Sequence, residues 1–147
     1  MDLDSIKVTS PDFKNGTVLK HGSPYLCSRD GGVDKMPQLV WDTNVPGVKS
    51  WFICCVDPDS VNGLWIHASG FLGEDKQVQF VKNSWGNAAY GGPCPPPGTG
   101  VHRYFFMVMA LDIVWPTSED ITPLINTKST HILKIGTIMF RYGVSEQ

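Results

Sequence analysis

The chain has 147 residues, of which 41% are hydrophobic, and its formal net charge is −2. A chain of this length and composition can bury its own core, so we expect one domain over residues 1–147. The near-neutral charge and the lack of like-charge blocks give no general attraction to nucleic acid or to an anionic membrane. No stretch approaches the roughly 20 apolar residues of a membrane span, and no integral membrane segment is expected. Any anion that the protein binds must therefore be held by a local site.

The cysteines of this chain show no paired CxxC spacing, and they lie in an otherwise core-forming sequence. We therefore expect reduced thiols rather than a disulfide scaffold or a zinc site. Reduced thiols, together with an N-terminus that lacks a leader-like apolar run, predict a cytoplasmic protein. The four cysteines are Cys27, Cys54, Cys55 and Cys94.

Three segments before residue 82 predict strands. Polar and apolar residues alternate over much of the segment after Lys7, which favours half-exposed strands. Residues 51–56, WFICCV, form a short apolar run without helical period, which predicts a central strand covered on both faces. Residues 77–81, QVQFV, alternate again and predict a half-exposed strand.

The second half of the chain adds two strands and one short helix. Residues 104–111, YFFMVMAL, predict a second central strand, and residues 136–143 predict the last strand. Thr122 followed by Pro123 predicts a helix that begins with Thr122 as its N-cap and runs toward His131. The resulting fold class is mainly β, with two packed antiparallel sheets.

The segment 91–100, GGPCPPPGTG, is here called the Gly/Pro segment. It runs without a break into the strand that begins at His102 and Arg103, so it is a loop on a scaffold rather than a linker. Its prolines stiffen the backbone, and its glycines let backbone N–H groups approach a ligand closely. Such a loop can form an anion-binding concavity without much positive charge.

Polar residues at the ends of the predicted strands are candidates for a site. Asp57 and Asp59 follow the buried strand 51–56, and their pattern fits both a surface turn and a site. His67 lies two residues after Trp65, so both share one face of an extended segment. There they either form a half-buried strand face or belong to a binding site.

The start of the strand after the Gly/Pro segment is a stronger candidate. His102 and Tyr104 share one face there, and Arg103 points to the other.

Two reactive alternatives remain open from the residues alone. Cys94 with His102 could form a thiolate–imidazolium pair of a hydrolase or redox protein. Asp57, His67 and His102 have the ligand types of a mononuclear metal site, although no sequence signature of a metal or cofactor is found and no cofactor is expected.

Several strings of this sequence resemble the phosphatidylethanolamine-binding protein family, which includes the Raf kinase inhibitor proteins. DPDS, GLWIH, NSWGNAAYGGPCPPPGTG and HRYFF occur in the order and rough spacing of that family. YLCSRDGG and MPQLVW resemble signatures of its shorter, bacterial-type branch. The resemblance covers nearly the whole chain and implies an antiparallel β-sandwich with Greek-key connections and one or two short helices.

The resemblance also implies a small pocket for phosphate-like anions. Asp57, His67, His102 and Tyr104 match the residues of the pocket, with Asp57 orienting the histidines, and a cis bond is implied before Pro58. The other residues that the resemblance places at the site or its rim are Pro58, Trp65, Tyr90, Gly92, Cys94 and Pro95.

The function implied by the resemblance is non-catalytic binding, and no enzyme activity is expected. The implied ligands are a phospholipid head group or a phosphorylated ligand, so the protein is expected to bind anions, phosphate and lipid. A further implied role is signalling or inhibition through a protein partner, such as a protein kinase or a protease. The sequence does not fix the oligomeric state.

Residues 81–86, VKNSWG, are almost identical to the asparagine box of papain-like cysteine proteases. Such enzymes need a nucleophilic cysteine in a CGSCW-like context far upstream. Neither Cys27 nor Cys54 has that context, so a protease is disfavoured.

Overall fold

A computed structural model describes residues 6–116 and 118–145. Its regular elements are mostly strands, which confirms the predicted mainly β class. In chain order they are the 3₁₀-helix Ser28–Asp30 and then β1 (Ser50–Asp57), β2 (Trp65–Leu72), β3 (Val78–Val81), β4 (His102–Leu111), α1 (Thr122–Ile125) and β5 (Ile132–Tyr142).

The five strands form one antiparallel sheet in the order β3-β2-β1-β4-β5. Strands β1, β2 and β3 follow one another as hairpins, and β4 returns to lie beside β1. This is the Greek-key order in which the fourth strand pairs with the first. The implied Greek-key connectivity is therefore confirmed.

The two central strands are β1 and β4, as their apolar sequences predict. Alternate residues of β1 enter opposite cores: Ile53 and Cys55 face one core, whereas Phe52 and Cys54 face the other. A strand buried on both faces needs apolar residues at every position, which is why the run WFICCV has no alternation.

Irregular chain covers one face of the sheet. Phe13 packs its ring against Phe106 of β4 and Phe140 of β5, at centroid distances of 5.9 and 5.0 Å. The strands predicted after Lys7 are wrong in extent, because this segment forms only isolated bridges, Thr9 to Val40 and Val18 to Arg141. Frequent prolines and positive-φ glycines interrupt the ladder there.

The helix α1 covers the other face, where Leu124 is fully buried. It is only four residues long, so the predicted extension toward His131 is wrong. Asn126 accepts the N–H of Lys128 through its side chain, and Thr127 has a φ of 59°, so the chain leaves the helix at this point. The N-cap is Ile121 rather than Thr122, which is the first helical residue. None of the described helices has the length and hydrophobicity needed to span a bilayer.

One edge of the sheet gathers the polar strand ends. The C-terminal end of β1 lies beside the N-terminal ends of β2 and β4, with Asp57 opposite Trp65. The connection from β3 to β4 starts at this edge and returns to it, because β3 runs antiparallel to β2. The Gly/Pro segment therefore crosses the strand ends of the sheet, as expected for a loop on a scaffold.

The turn after β1 corrects one expectation. All peptide bonds within residues 6–116 and 118–145 are trans, so the implied cis bond before Pro58 is wrong for this structure. The turn is closed by the Asp57 side chain, whose Oδ1 accepts the N–H of Asp59 at 2.7 Å. A trans bond is the lower-energy isomer for most X–Pro pairs.

The packing of Phe106 generates a stability prediction. Its side chain is fully buried and contacts the rings of Phe13 and Phe140, so Phe106→Ala removes a large apolar surface and leaves a cavity. We expect the free energy of unfolding, measured by urea denaturation, to fall by about 3–5 kcal/mol. Val114→Ala, at a position 73% exposed, is the control and should change it by less than about 0.5 kcal/mol. Equal effects of the two substitutions would contradict this description of the core.

Candidate functional site

The centre of the candidate site is a buried pair formed by Asp57 and His102. These residues end β1 and begin β4, and they are only 4% and 2% exposed. The Nδ1 atom of His102 lies 2.7 Å from Oδ2 of Asp57. Because Oδ1 accepts the N–H of Asp59, both oxygens of this buried carboxylate have a donor.

The other ring nitrogen of His102 contacts the Gly/Pro segment. Its Nε2 lies 2.8 Å from Oγ1 of Thr99, which in turn lies 2.7 Å from the carbonyl oxygen of Pro96. The hydroxyl has a single proton. If that proton goes to Pro96, the Nε2 of His102 donates to Oγ1; if it goes to Nε2, this nitrogen accepts. The orientation of the Thr99 hydroxyl is thus coupled to the hydrogen-bond role of Nε2.

His67, on β2, presents a different arrangement. Its Nδ1 lies 2.8 Å from the carbonyl oxygen of Gly91, which only accepts, so Nδ1 carries the proton. Burial lowers the pKa of His67; the Gly91 contact and the negative charge of Asp57 partly oppose this shift, and His102 adds to it. A neutral imidazole with a lone pair on Nε2 results. Among the described residues, that Nε2 has no hydrogen-bond partner.

Tyr104 lies between the two histidines. Its ring is edge-on to His67 at a centroid distance of 5.2 Å and nearly parallel to His102 at 6.2 Å. Burial, and then the negative charge of Asp57, raise the pKa of Tyr104 far above its usual value. The phenol therefore keeps its proton and can donate it in a hydrogen bond.

Two tryptophans line the side of His67. Trp85 packs edge-on against His67 at 5.0 Å and against Trp65 at 5.4 Å. The Nε1–H of Trp65 is buried and has no acceptor within the described part of the chain. A buried donor without an acceptor is unusual in a folded protein, and the indole N–H groups of Trp41 and Trp115 are unpaired in the same way.

The two aspartates of the DPD turn have different roles, which the sequence left open. Asp59 accepts from Nε, Nη2 and the backbone N–H of Arg103, at 2.8–2.9 Å. The side-chain hydrogen bonds of Arg103 lower the pKa of Asp59 to about 2, against a cost of burial. Arg103 also lies over the Phe105 ring, 5.4 Å from its centroid. Asp59 and Arg103 thus fasten the turn to β4, whereas Asp57 is part of the candidate site.

The Gly/Pro segment is fastened to β2 at its first residue. Gly91 donates its N–H to the carbonyl of His67 at 2.8 Å, in addition to accepting from the ring of His67. A Cβ on Gly91 would lie only 2.4 Å from the ring of Trp85, so a larger residue would force this ring to move away. Gly92 donates to Oδ1 of Asp34 at 2.8 Å.

Two other residues of the predicted rim make contacts with the rest of the protein. The hydroxyl of Tyr90 donates to the carbonyl of Tyr25 at 2.8 Å, and its ring stacks on Phe106. Pro95 is buried, and its carbonyl accepts from Nη2 of Arg29 at 2.7 Å.

The structure corrects the expectation that all thiols are reduced. Cys27 and Cys94 form a disulfide that joins the 3₁₀-helix region to the Gly/Pro segment. Sequence spacing could not reveal this pair, because its members are 67 residues apart and meet only through the fold. Cys54 and Cys55 are free and fully buried, as predicted, and burial raises the pKa of Cys54 to about 12. While the disulfide is intact, Cys94 has no thiol for the proposed thiolate–imidazolium pair.

The disulfide also engages two of the residues that could otherwise bind a metal ion. Within residues 6–116 and 118–145, one group of candidate ligands has atoms within 4.8 Å of one another, namely Cys27, Asp30 and Cys94. Both sulfur atoms belong to the disulfide, and Asp30 is paired with Arg29 at 2.7 Å. The set predicted from the sequence, Asp57 with the two histidines, does not converge in this way in the described chain.

Sequence reasoning missed several residues that shape the site. Thr99 could have been noticed because it lies three residues before His102, whereas the contact of Asp34 with Gly92 has no local signal. Asn83, in the segment that resembles a protease box, has a structural role: its Oδ1 accepts the N–H groups of Trp85 and Asn87. This turn holds Trp85 against His67.

Comparisons with known proteins agree with the fold and the motifs. The sequence model of the phosphatidylethanolamine-binding protein family matches residues 9–143. A UPF0098 protein of Aquifex aeolicus is 36% identical over 123 residues, which cover 74% of this chain and 69% of that protein. Two solved structures are similar. CT736 of Chlamydia trachomatis, described as a homologue of this family, is 29% identical and has a TM-score of 0.74. The superposition includes 95% of this chain and 97% of the CT736 chain. YbcL of Escherichia coli, described as a member of the mammalian family, has a TM-score of 0.76, with coverage of 95% and 99%; at 24% identity it supports the fold alone.

The environment of His67 predicts its tautomer and its titration. We expect ¹⁵N NMR at pH 7 to show a neutral ring with the proton on Nδ1, because the Gly91 carbonyl accepts there. The pKa of His67 should lie below its usual 6.5, since burial disfavours the charged ring. The unfolded chain then binds this proton at higher pH than the folded one, so His67 should lower the stability as the pH falls below 6.5. A proton on Nε2 at pH 7 would contradict the contact with Gly91.

Proposed function

Because this chain belongs to the phosphatidylethanolamine-binding protein family, we propose that it is a non-catalytic binding protein that holds a phosphate-like anion between His67, His102 and Tyr104. One observation carries the proposal. Each imidazole has its Nδ1 held by an acceptor of the protein, Gly91 or Asp57, so Nε2 is the ring atom that can face a ligand. On His102 the ligand would have to replace the hydroxyl of Thr99.

The chemistry of these groups suits a phosphate that carries a proton. The neutral Nε2 of His67 can accept a P–OH hydrogen bond, whereas the phenol of Tyr104 can donate to a phosphoryl oxygen. The Nε2 atom of His102 can exchange a hydrogen bond with another phosphoryl oxygen, because Asp57 already holds its Nδ1. A ligand oxygen would take the position that the hydroxyl of Thr99 occupies next to His102.

The remaining predicted residues form the rim in this proposal. Trp65 offers a buried N–H without an acceptor, and Gly92 is held at the rim by Asp34. Pro58, Tyr90, Cys94 and Pro95 complete the rim. The ligand class is a phosphomonoester or phosphodiester, either a phospholipid head group or a soluble phosphorylated molecule.

A protein partner belongs to the proposal as well, in the form of a kinase, a protease or another signalling protein of the cytoplasm. What supports it is a set of exposed apolar side chains in the connections at the site edge of the sheet. Val61 and Leu64 lie between β1 and β2, and Trp85 and Val101 lie between β3 and β4, with exposed fractions of 44–68%. A partner that covers these side chains would also cover the site.

The proposal is tested by NMR titration with inorganic phosphate and with O-phosphorylethanolamine near pH 7. We expect the ring resonances of His67 and His102 to shift, and those of His131 on the surface to stay unchanged. Sulfate is the matched ligand control. It has no proton to donate to the neutral His67, so it should bind more weakly than phosphate.

Asp57→Asn tests the role of the carboxylate. The substitution removes the carboxylate that holds Nδ1 of His102 and orients its ring. A hydrogen bond to a charged group contributes about 1.5–3 kcal/mol, so phosphate affinity should fall roughly tenfold or more. Asp112→Asn is the control, because Asp112 contacts His131 at 2.8 Å in a similar but exposed pair. Circular dichroism must show that both variants fold. Phosphate shifts confined to another face of the protein, with both site histidines unchanged, would refute the proposal.

A further inference from the structure

We propose that the Cys27–Cys94 disulfide is a redox modification site for small thiols, and that its reduction alters the position of His67. The second part rests on the function proposed above only where it concerns anion affinity. The two parts have separate readouts, given below.

The first observation is a cavity beside the disulfide. It has a volume of about 260 Å³, and both cysteines contribute to its wall together with Asn83, Trp85 and Asn87. This is roughly nine times the ~30 Å³ that one water molecule occupies in the liquid, so a small thiol fits. Both cysteines are partly exposed, whereas Cys54 and Cys55 are fully buried. Only the disulfide is therefore open to a reagent from solvent.

The lining of the cavity suits a polar thiol compound. Asn83 and Asn87 provide amide groups, Asp34 provides a carboxylate, and Trp85 provides an exposed indole face. Access and thiolate attack are the two requirements of disulfide exchange, and the cavity meets the first of them. The thiol reductant supplies the second.

The reaction is ordinary thiol–disulfide exchange with a dithiol. One thiolate of the reductant attacks a sulfur atom of the disulfide, the S–S bond breaks, and the other cysteine leaves as a thiolate that takes up a proton. The second thiolate of the reductant then attacks the mixed disulfide and releases the first cysteine, which is also protonated. The protein gains two electrons and two protons, and the reductant becomes a disulfide.

The second observation is a short path from the disulfide to His67. Cys94 is only three residues after Gly91, whose carbonyl holds the Nδ1–H of His67. Next to Cys94, the carbonyl of Pro93 accepts the N–H of Cys27 at a long 3.2 Å. The disulfide is thus the covalent tie between the Gly/Pro segment and the Cys27 region, beside the hydrogen bonds of Gly91 and Gly92. Its loss removes the strongest restraint near Gly91, and we expect the carbonyl of Gly91 to shift as a result.

Accessibility is tested by alkylation and mass spectrometry on the folded protein. After mild dithiothreitol treatment, iodoacetamide should label Cys27 and Cys94, and Cys54 and Cys55 should react only after denaturation. Without dithiothreitol, the folded protein should take up no label. Resistance of the pair to dithiothreitol, or labelling of the untreated protein at Cys94, would overturn the proposed modification site.

Coupling to His67 is tested on the same samples by NMR without phosphate. Reduction should shift the ring resonances of His67 and leave those of His131 unchanged. The variant Cys27→Ser with Cys94→Ser should match the reduced protein and should not respond to dithiothreitol. Unchanged His67 resonances after proven reduction would refute the coupling.

Titration with inorganic phosphate then separates the two proposals. We expect the reduced protein to bind phosphate at least about fivefold more weakly than the oxidised one, as for typical coupling between sites. If neither form binds phosphate, the anion-binding function fails, whereas alkylation and the His67 shift still decide the redox site. Equal affinities in both forms would show that the redox change does not control the anion site.

Discussion

The arrangement of the site depends on one buried interaction, the hydrogen bond between Asp57 and His102. A carboxylate buried without partners costs several kcal/mol, and this one is stabilised by His102 and by the N–H of Asp59. The pair joins the end of β1 to the start of β4, two strands that are adjacent in the sheet but not consecutive in the sequence. The position of His102 then fixes where Thr99 and the Gly/Pro segment must lie.

The topology of the sheet explains why a loop covers these residues. In a Greek-key order, the chain must return from the far strand β3 to β4, on the other side of β1. That connection therefore passes the ends of β2 and β1, where His67 and Asp57 lie. Glycine is required where the connection passes the Cys27 region, because a Cβ at Gly92 would lie 2.5 Å from the backbone carbonyl oxygen of Tyr25. A sequence rich in glycine and proline is thus the consequence of a close crossing.

The sequence predicted the parts of the structure that depend on local pattern. Apolar runs located β1 and β4, whereas the neighbourhood of Asp57 and His102 was implied only by the resemblance to the family. It could not predict contacts that depend on distant packing, such as the bond of Asp34 to Gly92 or the disulfide across 67 residues. The irregular N-terminal layer and the single-turn helix were over-predicted as regular structure. Alternation and capping residues indicate a tendency to form strand or helix. Prolines, glycines and tertiary contacts determined how much of these segments became regular.

The charges near the site limit how an anion can be recognised. All three arginines of the chain have protein partners: Arg29 pairs with Asp30, Arg103 with Asp59, and Arg141 donates to the carbonyl of Gly16. Arg103 follows His102 directly, yet its charge is neutralised by the turn after β1. A ligand between the histidines would therefore meet hydrogen-bond donors and ionisable rings rather than a free guanidinium. Recognition by such groups would depend on the proton count of the ligand and of the rings, so the proposed site would select anions by their hydrogen-bonding groups more than by net charge.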